Sequence, residues 1–390
     1  MKIADRLSKV SPSATLKLTS KAKEMKAKGF PVISFGAGEP DFDTPEPVKE
    51  EAIRSLRAGF TKYTPTSGIV ELKAAVCRKF EEDQRLKYSP EEVVISCGAK
   101  HSLYNLIQAL CDPGDEVLMG SPYWVSYPEM VYLAGGTPVF VPTFQSEGFC
   151  LTASRLKAAI TPKTKIVILN SPSNPTGGIL DEKELRALAE VIVKHDLICI
   201  SDEIYEYYLY QNLKHVSIAS LDEEIKKRTF VVNGTSKSYS MTGLRIGYLA
   251  GDAQVVKKIG ILQDHSTSNP SSISQKMAVA ALGLPKTYRQ EVRAIFEKRS
   301  ALMTALLEKT GVFEPFAPQG AFYVFCDISK TGLGSEALCE RLLEEIHLAV
   351  IPGKSFGSDK HVRFSFASSE KDIEEGLTRL MDWTKKRMKS

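Results

Sequence analysis

The sequence predicts an α/β protein: a large domain with a mostly parallel, mixed sheet covered by helices on both faces, plus a smaller α+β domain built from both termini. Three observations predict it. Short apolar, β-branched runs alternate with helix-period segments through the first two thirds of the chain, as in strand–helix–strand units. Those runs are apolar throughout rather than at every second residue, which marks strands buried on both faces. Beyond about residue 285 the pattern changes: long helical segments dominate, with two strand-like runs between them.

The elements follow in order. ELKAAVCRKFEEDQR (71–85) reads as a helix, with Leu72, Val76 and Phe80 on one face. EEVVIS (91–96) reads as a buried strand, and GAKHSLYNLIQAL (98–110) as a helix opened by Gly98. DEVLMG (115–120), KIVILN (165–170), LICIS (197–201), TFVVN (229–233) and GYLAG (247–251) are further strands, and EKELRALAEVIVKH (182–195) is an amphipathic helix between two of them. Helical patterns fill roughly 286–309 and 369–388, the second opened by Ser369-Glu370-Lys371-Asp372 as a capping box. FYVFCD (322–327) and HVRFSFA (361–367) are the strands between them. The first 45 residues lack a sheet pattern and are expected to pack with the C-terminal part. The division is thus 46–285 for the large domain and 1–45 with 286–390 for the small one.

Composition narrows the function classes. The 390 residues are 43% hydrophobic and 25% charged, an ordinary globular balance. The 51 basic residues exceed the 47 acidic ones, a net charge of +4, with no basic block interleaved with aromatics to suggest nucleic acid. No apolar run approaches a membrane span, and MKIADRLSKVSPS lacks the apolar core of a secretory signal. The cysteines number seven, with no C-x-x-C, and several sit in apolar runs. Reduced, buried thiols and a cytoplasmic location are the expectation.

Three strands run into chemically loaded loops. KIVILN leads to SPSNPTGG with Asn170 and Asn174, LICIS to DEIYEYY with Asp202 and Tyr205, and TFVVN to GTSKSYSMTGLRIGY with Lys237 and Arg245. In open α/β sheets such loops converge beyond the carboxyl ends of the strands. Taken singly, each residue also has a plain reading. Asp202 could cap a helix formed by EIYEYY, Lys237 could be a solvated loop lysine, and Arg245 could form a surface ion pair. Against that, apolar segments flank Lys237, and a lysine screened from water becomes a nucleophile toward carbonyls. Gly98-Ala99-Lys100 joins a strand to a helix, a generic anion site of free backbone N–H groups.

The ordered set GAGEPDFDTP (36–45), KYTPTSG (62–68), SPYWVSYPEM (121–130), NSPSNPTGG (170–178), SDEIYE (201–206) and SKSYSMTGLRIGY (236–248) resembles the fold-type I aminotransferases that use pyridoxal phosphate, in their aspartate aminotransferase-like branch. The resemblance runs from PSAT (12–15) to the arginine of HVRFSFA. It implies pyridoxal 5′-phosphate bound as a Schiff base on Lys237, which then moves the proton between the substrate and the cofactor. It implies Asp202 at the pyridinium nitrogen, Asn174 and Tyr205 at the phenolic oxygen, and Trp124 stacked on the ring. Gly98, Ala99 and the backbone of Lys100 would hold the phosphate with Arg245 and a hydroxyl from Thr235 or Ser236. Tyr63 would reach the phosphate of a neighbouring subunit, which implies a homodimer with shared sites. Arg363 would clamp the substrate α-carboxylate, beside the backbone of Gly38.

Within that branch, Lys100 and Ser13 match positions that recognise a distal carboxylate. The implied reaction is L-aspartate + 2-oxoglutarate = oxaloacetate + L-glutamate. Prephenate also carries two carboxylates, and Thr15 is compatible with it. An aminotransferase for another amino acid, alanine or an aromatic one, is the alternative within the family, and two readings from other classes stand beside it. A lyase of the same fold would keep Lys237, Asp202 and Arg363 but need no keto-acid acceptor. An effector-binding module of a regulator would carry a DNA-binding helical domain before the PSAT segment.

Overall fold

The computed structural model describes residues 3–11 and 14–387. Its largest sheet has seven strands in the order β2-β8-β7-β6-β5-β3-β4. These are β2 (Val93–Ser96), β3 (Glu116–Ser121), β4 (Thr137–Pro142), β5 (Thr164–Asn170), β6 (Ile198–Asp202), β7 (Thr229–Gly234) and β8 (Gly247–Ala250), preceded in the chain by the two-residue β1 (Ile33–Ser34). Every neighbouring pair is parallel except those made by β8, which runs antiparallel to both β2 and β7. The sheet is therefore mixed and mostly parallel, as its uniformly apolar strands predict. TPVFVP (137–142), absent from the expected strands, forms the edge strand β4. Only Pro138 and Val141 are buried, and the prolines at 138 and 142 break the strand signal of its short apolar run, which suits an edge.

Successive strand residues point to opposite faces, and both faces are dry. Val94, Val117, Met119, Ile168, Ile200, Val232 and Leu249 pack against Leu103, Leu106 and Ile107 of helix Ala99–Leu110 and Ile259 of helix Ala253–Asp264. On the other face Ile95, Val231 and Tyr248 meet Leu72, Val76 and Phe80 of helix Val70–Gln84. Farther along that face Val167, Leu169 and Cys199 meet Leu185, Leu188 and Ile192 of helix Glu182–Lys194.

The C-terminal part holds a four-stranded antiparallel sheet, β12-β13-β10-β9, made of β9 (Glu314–Phe316), β10 (Tyr323–Asp327), β12 (Ile351–Pro352) and β13 (His361–Ser365). Helices Lys286–Glu308, Ser335–Ile346 and Glu370–Arg387 share a core with it. The N-terminal segment joins this part: β1 pairs in parallel with β11 (Leu348–Ala349). At the start of the last helix, the Asp372 N–H donates to Ser369 Oγ at 3.1 Å, but the Asp372 carboxylate takes the Ser369 hydroxyl at 2.9 Å rather than a backbone N–H. Half of the expected capping box is present.

The register places the loaded strand ends side by side. Asn170 at the end of β5 lies opposite Asp202 at the end of β6, and Asp202 lies opposite Val232 near the end of β7. Two antiparallel steps through β8 turn β2 the same way as β7, so Ser96 and the Gly98 turn emerge at that edge too.

Candidate active site

These strand ends open into a cavity of about 800 Å³. Its walls include Gly38, Ala99, Lys100, Trp124, Asn174, Asp202, Tyr205, Ser236, Lys237, Arg245 and Arg363. Gly98 lies directly behind Arg245. Residues from five strand-end loops, after β2, β3, β5, β6 and β7, and from the C-terminal part thus meet in one place.

Lys237 follows β7 in a short turn. Its Nζ donates to the Gly38 carbonyl at 2.6 Å, linking the sheet edge to the N-terminal segment. Burial pulls its pKa down to about 8; Glu39 opposes this, while Arg245, Arg363 and Lys100 add to it. The backbone of Lys237 is fixed by Tyr208, whose hydroxyl donates to the Lys237 carbonyl at 2.7 Å.

Asp202 ends β6 and is buried. The Tyr127 hydroxyl donates to Oδ2 at 2.6 Å and the Ile204 N–H to Oδ1 at 3.3 Å. Desolvation outweighs these bonds and raises its pKa to about 6. No helix follows: residues 203–207 form a turn, so Asp202 is not a helix cap. Asp202 and Tyr205 nevertheless both line the cavity, and the Tyr205 hydroxyl meets that of Tyr323 at 2.8 Å.

Asn170 Nδ2 donates to the Asp202 carbonyl at 3.0 Å, and Asn170 Oδ1 accepts from the Asn174 N–H at 2.9 Å. This orients Asn174, whose Oδ1 accepts from Arg363 Nη1 at 2.8 Å. Arg363 Nη2 donates to Gly36 O at 3.1 Å. The guanidinium lies 4.3 Å from the ring centre of Tyr323 and 4.9 Å from that of Phe356. It is buried, and its Nε has no acceptor among the described residues. A buried donor in that state can donate to a further partner in the cavity.

The Gly98 turn is shaped for a close approach. Gly98 has φ +90°, and a Cβ there would come within 2.3 Å of Arg245 Nη2. Gly247 is equally constrained, since its Cβ would meet Ala99 N at 2.1 Å. The first-turn N–H groups of Ala99 and Lys100 are those a helix leaves without internal partners. Arg245 sits in the left-handed region at φ +56°, and Nη1 and Nη2 donate to the carbonyls of Thr242 and Cys97 at 2.8 and 3.3 Å. Thr235 is fully buried with its hydroxyl on the Ile246 carbonyl at 3.4 Å, whereas Ser236 lines the cavity. Lys100 reaches into the cavity with its ammonium 4.9 Å from the Trp124 ring centre. Burial and then Arg245 lower its pKa.

Two expected site residues stand apart. Tyr63 is 90% exposed and is not among the cavity walls. Ser13 lies outside the described residues, and with it the PSAT contact. The residues missed in the sequence are Tyr127, Tyr208 and Tyr323. Each is a buried phenol, and nothing in the local pattern distinguishes one that touches the site from one that only fills a core.

Comparisons with known proteins agree with this geometry. The sequence profile of the aminotransferase class I and II family matches residues 31–380. The aspartate aminotransferase of Geobacillus stearothermophilus is 48% identical over 385 residues, covering 97% of this chain and 98% of its own. The aspartate/prephenate aminotransferase of Cereibacter sphaeroides is 45% identical over 390 residues, with 97% of each covered. Among solved structures, the Thermus thermophilus aspartate aminotransferase with maleate superposes with a TM-score of 0.95 at 41% identity, covering 98% of this chain and 99% of that one. With nearly its whole length matched and its strand-end residues gathered in one cavity, the chain belongs to the class I and II aminotransferases.

Proposed function

We propose that this aminotransferase uses pyridoxal 5′-phosphate bound through Lys237 and exchanges amino groups between dicarboxylic partners, principally L-aspartate + 2-oxoglutarate = oxaloacetate + L-glutamate. One observation carries the reading: three cations, Arg245, Arg363 and Lys100, stand around Lys237 in a single cavity. They suit a phosphate, an α-carboxylate and a distal carboxylate in turn.

The residues fit the cofactor. The Gly98 turn and Arg245, with Ser236, offer N–H, guanidinium and hydroxyl groups to a phosphate. Asp202, held by Tyr127, suits a protonated ring nitrogen, and Asn174 and Tyr205 suit the phenolic oxygen. Trp124 offers an aromatic face. When bound, pyridoxal phosphate supplies an aldehyde that condenses with amines and a protonated ring that accepts the electron pair left at the substrate Cα. The protein does the rest. Lys237, whose amine burial keeps from holding its proton tightly, would hold the cofactor and would take the proton from the substrate Cα. Arg363 grips the α-carboxylate with its planar fork while Gly38 lies alongside. Lys100 meets the distal carboxylate, with Ser13 as its partner.

The maleate in the Thermus thermophilus structure, a dicarboxylate, supports this assignment. The prephenate named for the Cereibacter sphaeroides relative supports a second acceptor of the same charge pattern. A homodimer with cytoplasmic residence completes the reading. The homodimer is supported by three large apolar side chains close in sequence and open to solvent, Leu56 at 60%, Tyr63 at 90% and Val70 at 71% exposure. A contact with a second copy there would bring Tyr63 to a neighbour's phosphate. We also assign 46–285 to cofactor binding and 1–45 with 286–390 to a smaller domain that closes over substrate.

The test is an absorbance spectrum of the protein loaded with pyridoxal phosphate. A visible band is expected, lost in Lys237→Ala and converted by aspartate to the pyridoxamine form. The conversion excludes a lyase, and an absent band in the loaded wild type would overturn the reading. Steady-state rates with aspartate well above those with alanine are expected; equal rates would remove Lys100 from substrate choice.

A further inference from the structure

The turn after Asp202 has two sides. It is closed by bonds from the Glu206 N–H to Glu203 O at 3.0 Å and from the Tyr208 N–H to Tyr205 O at 2.9 Å. In a turn with i to i+3 bonds, residues three apart eclipse. Asp202, Tyr205 and Tyr208 accordingly share the side of the site: two line the cavity and the third holds the Lys237 carbonyl. Glu203 and Glu206 share the opposite side and are buried in protein.

Three of the four carboxylate oxygens of that buried pair accept hydrogen bonds. Glu203 Oε1 accepts the hydroxyls of Ser201 at 2.8 Å and Ser217 at 2.6 Å. Its Oε2 meets Gln84 Nε2 at 2.7 Å and His215 Nε2 at 2.8 Å. These partners keep its pKa low although desolvation pushes it up. Gln84 Nε2 also donates to Glu206 Oε2 at 2.6 Å, and Lys79 Nζ donates to the same oxygen at 2.7 Å while lying 2.6 Å from Oε1, which accepts no hydrogen bond among the described residues. Lys79 and Gln84 both come from helix Val70–Gln84. The ligand atoms of Glu203, Glu206 and His215 lie within 4.8 Å of one another, a metal-like spacing. The cation serving Glu206 is the protein's own Lys79.

Buried ion pairs are poor sources of stability, because desolvation offsets the attraction, and apolar residues often replace them at no cost. Directional bonds do what apolar packing cannot: they fix an angle. We propose that Glu203 and Glu206 are positioning residues of the active site, clamping the turn from behind so that Asp202 and Tyr205 face the cavity at a fixed depth. This rests on the cofactor reading above.

The experiment replaces the ion pair with apolar groups in the full-length enzyme, Lys79→Met with Glu206→Leu. Three quantities are measured: the melting temperature without cofactor, the affinity for pyridoxal phosphate by absorbance titration, and kcat and KM for aspartate. Melting within a few degrees of wild type is expected, with cofactor affinity weakened tenfold or more and kcat lowered while KM is unchanged. Wild-type affinity and kcat in a stably folded double variant would overturn the proposal. If the double variant does not fold, Glu203→Gln decides, since it keeps the shape and removes the charge. A three- to tenfold loss of affinity is expected, and none would overturn the clamp. Wild-type protein that binds no pyridoxal phosphate would instead overturn the cofactor reading.

Discussion

Arg363→Lys separates the two cations proposed to bind carboxylates. The guanidinium has five N–H groups. Two are taken, by Asn174 and by Gly36, which leaves Nε and one hydrogen on each terminal nitrogen. A substrate α-carboxylate can accept two of these side by side. Lysine offers a point charge and a single directed bond, so one charge-assisted bond is lost, about 2–3 kcal/mol with the reduced contact to Tyr323 and Phe356. That corresponds to a fall of roughly 30- to 150-fold in kcat/KM. Every amino acid carries the α-carboxylate, so aspartate and alanine are expected to lose the same factor. Lys100→Ala should reduce aspartate turnover and leave alanine nearly unchanged. The assay is steady-state kinetics with both donors on both variants. If Arg363→Lys impairs aspartate but spares alanine, Arg363 reads the distal group and the assignment of the two cations is reversed.

Further predictions concern the lysine, its carboxylate neighbour and the subunit contact. The rate at which cofactor-free protein condenses with pyridoxal phosphate should rise about tenfold per pH unit below about 8 and level off above it; a rate still climbing through pH 10 would contradict a depressed Lys237 pKa. Asp202 has its folded pKa raised to about 6 from 3.8. Its contribution to stability is therefore complete below the lower value and lost as pH rises through the upper one, by about 3 kcal/mol. Cofactor-free Asp202→Asn should accordingly melt a few degrees above wild type at pH 8, with the gap closing toward pH 4; the same gap at both pH values would refute this. Mixed subunits of Tyr63→Ala and Lys237→Ala should regain activity that neither variant has alone, because one site of the mixed dimer receives both intact residues. No recovery would return Tyr63 to its own chain.

How much of this was legible beforehand depended on which physical signal each feature leaves. The inner strands were readable because burial on both faces forces continuous apolar runs, and the convergence of Asn170, Asp202 and Lys237 followed from parallel neighbours. The edge strand β4 was not, because prolines at 138 and 142 bracket its three-residue Val139-Phe140-Val141 run, and proline ordinarily argues against a strand except at an edge. Lys237 was one lysine among many in its local sequence and gained its role only from the ordered motifs around it. Tyr127, Tyr208 and Tyr323 were invisible: what each hydroxyl touches depends on packing between segments far apart in the chain. Glu203 and Glu206 were visible as letters in SDEIYE, but their direction was not. The expected helix after Asp202 would space side chains at 3.6 residues, whereas the actual turn spaces them at three and divides them cleanly between the cavity and the buried clamp.

The charges of the site also act on one another. Arg245, Arg363 and Lys100 all disfavour the ammonium form of Lys237, and burial lowers the pKa of Arg363 and Lys100 as well. In the free protein this pressure makes Lys237 a good nucleophile near neutral pH. A phosphate beside Arg245 and a carboxylate on Arg363 would neutralise two of the three neighbours, and the lysine would then hold a proton more tightly. Nucleophilicity is needed before those anions are both present, and basicity afterwards, when a proton must leave the substrate Cα. The cations proposed to hold the phosphate and the substrate carboxylates would therefore also shift Lys237 from one task to the other, in the order in which the anions arrive.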